Sequence, residues 1–257
     1  MTSPIISGDR TVEDVIRAHK RKLEKSKVPA PQPRQVAPAT PARNISDPEN
    51  YIALPGKAHG TYSYPDLLVP IERTHQNKDW DDAQAALRAE GYFMLTIRQF
   101  IDYINLLKSG TAYYGSGRQI GKSELDAILF DIVGVKDPWR AEWLDAKFGK
   151  TIIFGENTIT YHKIKTYGTL EEVTEPLQDC LMEDKLPGIS LDYWLQNATP
   201  QGLPPKKTPK GNFWYWRPRQ GYVAGFVAHS GGAVLSCSGD LQYVYSAFGV
   251  RAAKVKP

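Results

Sequence analysis

The stretch whose residue types come closest to a known chemical site is rich in glycine. Gly115–Ser123 ends in Gly-Lys-Ser, as do the loops that hold nucleotide phosphates. Such a loop also needs a glycine five positions before Gly121, where this chain has Ser116, and a buried strand in front of it. We therefore interpret the stretch as a loop that leads into a helix capped by Ser123, and we expect no nucleotide there.

The remaining polar residues do not form a recognisable catalytic or metal-binding pattern. Ser230 lacks the Gly-x-Ser-x-Gly context of a nucleophile, so it is interpreted as a turn residue. Asp66 and Glu72 could pair as acid and base, but nothing in the sequence brings them together. Four histidines have no metal-ligand spacing: His59, His75, His162 and His229. We expect a protein without catalytic residues, metal or cofactor.

The chain has two cysteines, Cys180 and Cys237, which are too few for a disulfide framework. A single bridge between them is one alternative. Two buried free thiols are the preferred one, because free cysteine behaves as a small apolar residue in protein cores.

The totals indicate a soluble globular protein of 257 residues, with 41% hydrophobic and 23% charged residues. We find neither the ~18 consecutive apolar residues of a membrane span nor an N-terminal signal sequence, so a cytoplasmic or virion-associated location is expected. The net charge of +4 lies in residues 1–47, and the rest carries 23 charges of each sign. A neutral body argues against a nucleic-acid-binding groove.

Two regions are predicted, residues 1–48 and residues 49–257. The first holds an amphipathic helix, Thr11–Lys27, and a proline-rich linker. Three roles remain open for the helix: a solvated tail, a segment that docks a partner or self-associates, and a basic membrane-surface helix. We expect the whole region to be separable from the folded domain.

Helix and strand patterns alternate irregularly in the second region, which predicts an α+β fold. The best-defined helix runs from Thr96, which forms a capping box with Gln99, to Gly110. Other helices are predicted at 79–90, at 123–133, from Asp137-Pro138-Trp139 onward and after a Ser190 cap. The remaining predictions are strands at 51–54 and 92–95, a hairpin of 151–154 with 158–161, and loops at 59–66 and 199–210.

The final segment, Gly211–Ala253, contains no Lys, Glu or Met and is rich in Tyr, Ser, Gly and Trp. Rigid aromatic residues combined with small adaptable ones are typical of evolved binding surfaces. Three short apolar runs and an alternating run predict strands separated by glycine turns: Phe213–Trp216, Val223–Ala228, Val234–Cys237 and Phe248–Ala252.

This segment resembles the C-terminal end of C-type-lectin-fold proteins, and in particular the variable proteins of diversity-generating retroelements. The likeness lies in F-W-Y-W-R-P, V-A-G-F-V-A, S-G-G-A-V-L-S-C and F-G-V-R-A-A, and it extends loosely back to Tyr51. The resemblance implies a C-type lectin-like fold with short antiparallel strands and several helices, in a protein of phage, bacterial or archaeal type. The calcium-binding tripeptides of sugar-binding lectins are absent, so neither calcium nor a sugar is implied.

In that family an error-prone reverse transcriptase rewrites adenines of a variable region, here about 211–253. Rewritten asparagine codons cannot yield Lys, Glu, Gln, Met or Trp. The tryptophans and glutamines of the segment are therefore not candidates for rewritten positions. The resemblance implies a ligand-binding face made of Arg219, Tyr222, His229, Ser236, Ser238, Leu241, Tyr243, Val244, Tyr245, Ser246 and Ala247.

The predicted function is therefore non-enzymatic binding of an unidentified protein or other macromolecule. Tyr222, Tyr243 and Tyr245 are expected to be exposed on one face with Arg219 and His229. Four residues are expected in the core instead: Trp214, Trp216, Phe226 and Val250. Two alternatives stay open, an enzyme of the formylglycine-generating type on the same fold and a surface adhesin that is not diversified.

Overall fold

The chain folds as a mixed α+β protein in a computed structural model that describes residues 11, 12, 14, 16, 18 and 47–257, except 154, 166 and 167. Four complete helices occur in these residues: α1 (Trp80–Ala89), α2 (Ile97–Ser109), α3 (Lys122–Val133) and α4 (Leu191–Asn197). None of the helices described is long and apolar enough to cross a membrane.

The strands are short and mostly antiparallel. In chain order they are β1 (Tyr51–Leu54), β2 (Lys57–His59), β3 (Tyr62–Tyr64), β4 (Leu67–Pro70), β5 (Arg140–Lys150), β6 (Asn157–Ile164), β7 (Leu170–Pro176), β8 (Lys185–Ile189), β9 (Phe213–Trp216), β10 (Val223–His229), β11 (Gly232–Gly239), β12 (Phe248–Gly249) and β13 (Lys254–Val255).

One large sheet carries most of these strands in the order β7-β6-β5-β10-β11-β9-β8. Its pairs are antiparallel, except that β9 runs parallel to β11, and β12 adds a short parallel pair to β5. A second sheet, β1-β4-β13, joins the end of the chain to the start of the folded domain, and β2 and β3 form a hairpin.

Helix α2 confirms the strongest prediction from the sequence. The Thr96 side chain accepts from the Gln99 backbone N–H, the Gln99 side chain accepts from the Thr96 N–H, and Gly110 ends the helix at φ 77°. That left-handed conformation suits glycine because it has no Cβ to clash. The predicted apolar stripe is fully buried: Ile97, Phe100, Ile101, Ile104 and Leu107.

The large sheet has a buried cluster on each side. The larger cluster lies between the sheet and helices α2 and α3 and includes Phe226 and Leu235. The smaller one lies under α1 and includes Trp80, Leu87 and Trp143. Strand β5 contributes to both clusters, because alternate side chains of a strand point to opposite faces of the sheet.

Strand β5 overturns two predictions. The helix expected from Asp137-Pro138-Trp139 does not form, and a strand begins at Arg140 after a cis Asp137–Pro138 bond. Local capping signals are outweighed here because Trp143 and Leu144 are each buried, one on either face of the sheet. The predicted hairpin exists, but its strands meet at Lys150 and Asn157. Residues 151–153 of the first predicted strand therefore fall in the turn, and residue 154 lies outside the described residues.

Two smaller elements also differ from prediction. The N-cap of α3 is Gly121 without a side-chain hydrogen bond, so Ser123 does not cap that helix. Residues 92–95 form no strand and contribute only a bridge from Phe93 to Ala253.

Two predicted loops are more ordered than expected. Residues 59–66 contain strand β3, whose Tyr62 and Tyr64 are buried in the larger cluster. The first half of the 199–210 loop is also buried, because the Gln201 side chain binds the Glu175 carboxylate and the Pro176 carbonyl. Helix α4 is capped by Ser190, as predicted.

Described residues of the N-terminal segment contact the domain, from which the whole region was expected to be separable. Thr11 caps a helical turn by accepting from the Asp14 N–H at 3.1 Å, as predicted. Val12 is only 1% exposed, and its N–H donates to the Asp192 carboxylate at 3.2 Å at the start of α4. Ile16 packs against the larger cluster. Most of the predicted helix Thr11–Lys27 and the linker before residue 47 lie outside the described residues.

We expect Val12→Ser to lower the free energy of unfolding by about 2 kcal/mol, because a buried aliphatic side chain is replaced by a hydroxyl without a partner. Ala18→Ser is the matched control, since Ala18 is exposed on the same helical segment, and should change it by less than about 0.5 kcal/mol. Urea unfolding of the full chain measures both. Equal effects of the two substitutions would show that the segment does not dock.

Candidate binding face

Three neighbouring strands present one outer face of the large sheet. The ladder aligns Gly225 of β10 with Ser236 of β11, and Ser236 with Trp216 of β9. Residues directly opposite in a ladder point to the same side of a sheet. A second row across the same strands consists of Val227, Val234 and Trp214. We call the two rows the outer face.

The alternation of β9 places its tryptophans on this face. Phe213 and Tyr215 are buried in the larger cluster, whereas Trp214 and Trp216 are half-buried on the opposite side. The expectation that both tryptophans lie in the core is therefore wrong. The same expectation is confirmed for Phe226 and Val250, which are 2% and 0% exposed.

Strand β11 separates outward serines from a buried inner row. Ser236 and Ser238 are half-buried on the outer face, with their Oγ atoms 3.4 Å apart. Leu235 and Cys237 between them point inward and are fully buried. The outward positions can therefore change without disturbing the inner row.

Arg219 closes one end of the outer face. Its guanidinium lies 5.9 Å from the centre of the Trp216 ring and donates to the Asp184 carboxylate at 2.7 Å. Burial alone would raise the pKa of Asp184, but the Arg217 N–H and the Arg219 guanidinium outweigh it and lower the pKa. The pair places a fixed charge beside an aromatic ring, a combination common in binding hot spots.

His229 closes the other end. Its ring contacts Trp214 edge to face, with ring centres 5.0 Å apart. Its Nδ1 accepts from the Gly231 N–H at 3.0 Å in the β10–β11 turn. This bond leaves the proton of the neutral ring on Nε2, which is available to donate to a ligand.

The segment after β11 adds a stack of aromatic rings beside the outer face. Tyr245 lies between Trp139 and Tyr243, with ring centres 5.0 and 6.1 Å away and both pairs nearly parallel. Tyr243 contacts Phe248 edge to face, and the Phe248 ring in turn lies 4.0 Å from that of Trp143. The stack therefore rests on the β5 side of the sheet.

The predicted exposure of the tyrosines is confirmed. Tyr222, Tyr243 and Tyr245 are 40, 44 and 46% exposed, and the neighbouring Val244 and Ser246 are exposed as well. Tyr222 lies just before β10, and among the described residues its ring contacts no other aromatic ring. Tyr243 and Tyr245 thus form one group, and Tyr222 stands apart from it.

Two residues of the predicted ligand-binding set, Leu241 and Ala247, attach the 241–247 segment to the rest of the domain. Leu241 is half-buried against the smaller cluster, and its carbonyl accepts from the Trp80 N–H at 3.3 Å. The Ala247 carbonyl accepts from Ala141 and from the Arg73 guanidinium. These contacts fix both ends of the 241–247 segment, so the four candidate residues Tyr243, Val244, Tyr245 and Ser246 can vary between them.

Neither thiol is placed for chemistry. Cys180 and Cys237 are both free and buried, as preferred from the sequence. Burial raises the pKa of Cys180 to about 11 and that of Cys237 well above its usual value. Both are protonated at neutral pH and are weak nucleophiles. The described part of the chain also contains no group of three or more His, Cys, Asp or Glu residues placed to hold a metal ion.

Sequence reasoning missed three aromatic members of this surface. The period-two pattern of F-W-Y-W was sufficient to place Trp214 and Trp216 outward once Phe213 was assigned inward. No local signal could have placed Trp139 beside Tyr245, because the two residues are joined only through the β5–β12 pairing.

No protein-family model matches this chain, and neither a curated protein nor a solved structure matches it significantly.

Proposed function

We propose that this protein is a non-enzymatic binding protein, a retroelement-type variable protein with a C-type lectin-like fold, whose outer face and adjoining tyrosine stack hold a macromolecular ligand. The observation that carries the proposal is the separation within β11, where Ser236 and Ser238 point outward and Leu235 and Cys237 are buried. A receptor whose sequence varies needs this separation of binding and folding residues.

The chemistry of the face favours a protein ligand. Two half-buried tryptophans, two stacked tyrosines and an arginine are the residue types that dominate binding hot spots. Large rings restrained by stacking lose little conformational entropy when they bind. The serines add hydrogen-bonding groups whose size leaves room for a partner's side chains.

The experiment compares two displayed libraries of the full chain, one randomised at Ser236, Ser238, Tyr243 and Tyr245 and the other at Phe226, Leu235, Cys237 and Val250. We expect most members of the outward library to keep resistance to protease, because exposed substitutions usually cost less than about 0.5 kcal/mol. Most members of the inward library should lose it, because each buried substitution costs about 2 to 5 kcal/mol. Similar survival of the two libraries would refute the separation on which the proposal rests.

Diversification itself is tested by the gene neighbourhood. We expect a near-copy of the 211–253 coding stretch beside a reverse transcriptase gene, with differences confined to adenines of the copy. A neighbourhood with neither feature would contradict the retroelement origin, and the binding face would then be that of an undiversified module.

A further inference from the structure

A separate cleft lies between α1 and strands β6 and β7. It has a volume of about 350 Å³ and adjoins a second hollow of about 230 Å³. Arg88, His162 and Glu172 line both hollows, so these three residues lie where the two meet. No residue of the outer face or of the tyrosine stack lines either hollow, which makes this site independent of the proposed binding face.

His162 is held at the floor of the cleft by a buried carboxylate. Asp145, 2% exposed, accepts from the His162 backbone N–H at 2.8 Å and from the Gln84 side-chain amide at 2.8 Å. The same carboxylate lies 3.0 Å from His162 Nδ1, which therefore carries the ring proton. The Nε2 lone pair consequently faces the cleft in a fixed orientation.

Opposite charges stand on either side of that nitrogen. Arg88 Nη2 donates to His162 Nε2 at 2.6 Å, and a Glu172 carboxylate oxygen lies 3.8 Å from the same atom. Within the described part of the chain, Arg88 and Glu172 form no ion pair with each other within 4 Å, and neither is paired with another charged residue besides His162. The cleft thus presents a cation and an anion that a single ligand could contact together.

Two aromatic side chains, a leucine and two glycines form the rest of the lining of the first hollow. Tyr92, Phe93 and Leu170 line it beside Gly91 and Gly168. Tyr92 and Leu170 are half-buried, so part of each side chain faces the opening. An apolar wall next to two separated charges is complementary to a small zwitterion with an apolar substituent.

We propose that this cleft binds a free α-amino acid with an apolar side chain. The ligand carboxylate accepts from the Arg88 guanidinium, which suits carboxylates because of its planar donors. The ligand ammonium donates to Glu172 and to His162 Nε2 once Arg88 turns toward the carboxylate. The side chain packs against Tyr92 and Leu170, and the volume of about 350 Å³ accommodates leucine or phenylalanine.

The test is calorimetric titration of the full chain with L-leucine and L-phenylalanine, each up to about 10 mM, an upper limit that detects millimolar dissociation constants. L-leucinamide lacks the carboxylate and N-acetyl-L-leucine lacks the ammonium. We expect both analogues to bind at least about tenfold more weakly than leucine, since each loses one charged contact. Absence of binding by both amino acids, or equal binding of leucinamide and leucine, would overturn the proposal.

Paired variants locate the binding. Glu172→Gln should weaken leucine binding at least about tenfold. Glu171→Gln should leave it unchanged, because Glu171 is the neighbouring residue of β7, pairs with Lys165 of the β6–β7 connection and does not line the cleft. Arg88→Met should also weaken leucine binding. Arg118→Met is its control and should leave binding unchanged, because Arg118 pairs with Glu49 at the surface and does not line the cleft. Binding that survives Glu172→Gln unchanged would place leucine elsewhere. Because Glu172 is 68% exposed, its replacement should not unfold the chain.

Discussion

Replacing Arg251 with methionine is expected to lower the free energy of unfolding by about 4 kcal/mol, in the middle of the range for breaking a buried ion pair. Arg251 and Glu142 are 3% and 4% exposed and form a bidentate pair, with Nε–Oε2 and Nη2–Oε1 distances of 2.8 Å. Nη1 of Arg251 also donates to the carbonyls of Pro70 and Ile71. Methionine leaves a buried carboxylate and two carbonyls without these donors.

The expected fall in melting temperature is about 10 °C for a chain of this size. Arg118→Met is the control, because Arg118 pairs with Glu49 at the surface and is 63% exposed; its loss should cost less than about 1 kcal/mol. Glu142→Leu combined with Arg251→Met should cost clearly less than the two single changes together, since no buried charge is then left alone. Additive costs would mean that the two residues do not act as a pair.

Local signals in the sequence were sufficient for much of the helical structure. Asp79 and Thr96 cap their helices, and Gly91 and Gly110 follow the helix ends at positive φ, where glycine is favoured. These features depend on contacts within a few residues, so a single sequence contains them.

Elements whose conformation depends on residues far away in the sequence could not be predicted from such local signals. Strand β5 contains charged and apolar residues without regular alternation, and its conformation is fixed by β6, β10 and β12, which follow it in the chain. The same dependence applies to the β2–β3 hairpin, where Tyr62 and Tyr64 are buried against residues from other elements. Pairing between residues that far apart in the chain leaves no periodic pattern in the local sequence.

The two candidate sites differ in how far the sequence could predict them, and the reason is the same. The outer face lies largely within one continuous segment, so residue types and alternation indicate most of it. The cleft between α1 and strands β6 and β7 joins Arg88 of the helix to His162 and Glu172 of the two strands. Each of these residues was unremarkable alone, and only the fold places them around a common volume.

Replacing Asp102 with asparagine is expected to lower the free energy of unfolding by about 3 to 5 kcal/mol at neutral pH. The carboxylate is 1% exposed on α2 and accepts from Arg98 at 2.8 Å and Tyr64 at 2.7 Å. His59 Nε2 lies 2.7 Å away and Lys57 Nζ 3.5 Å away. An uncharged amide leaves the Arg98 guanidinium, itself 5% exposed, without its buried counter-charge.

The pH dependence of stability separates this charge effect from a loss of packing. Burial alone would raise the pKa of Asp102, but the hydrogen bond and charge of Arg98, with Tyr64 and Lys57, outweigh it and lower the pKa. A carboxylate with a lowered folded pKa stabilises the protein above its unfolded pKa of about 4, and this contribution is lost as the pH falls through the folded value. The difference between the native chain and Asp102→Asn should therefore be widest at neutral pH and shrink below about pH 4.

Urea unfolding between about pH 3 and pH 7 measures this difference, because its midpoint and slope give the free energy at each pH. Asp81→Asn is the matched control: Asp81 is an exposed aspartate in the first turn of α1, and its replacement should shift the free energy by less than about 1 kcal/mol throughout. A constant difference between the native chain and Asp102→Asn at every pH would mean that the substitution acts through shape and not through the charge of the carboxylate. A difference that narrows on acidification, with Asp81→Asn unaffected, would show that the ionised carboxylate joins the β2–β3 hairpin to α2.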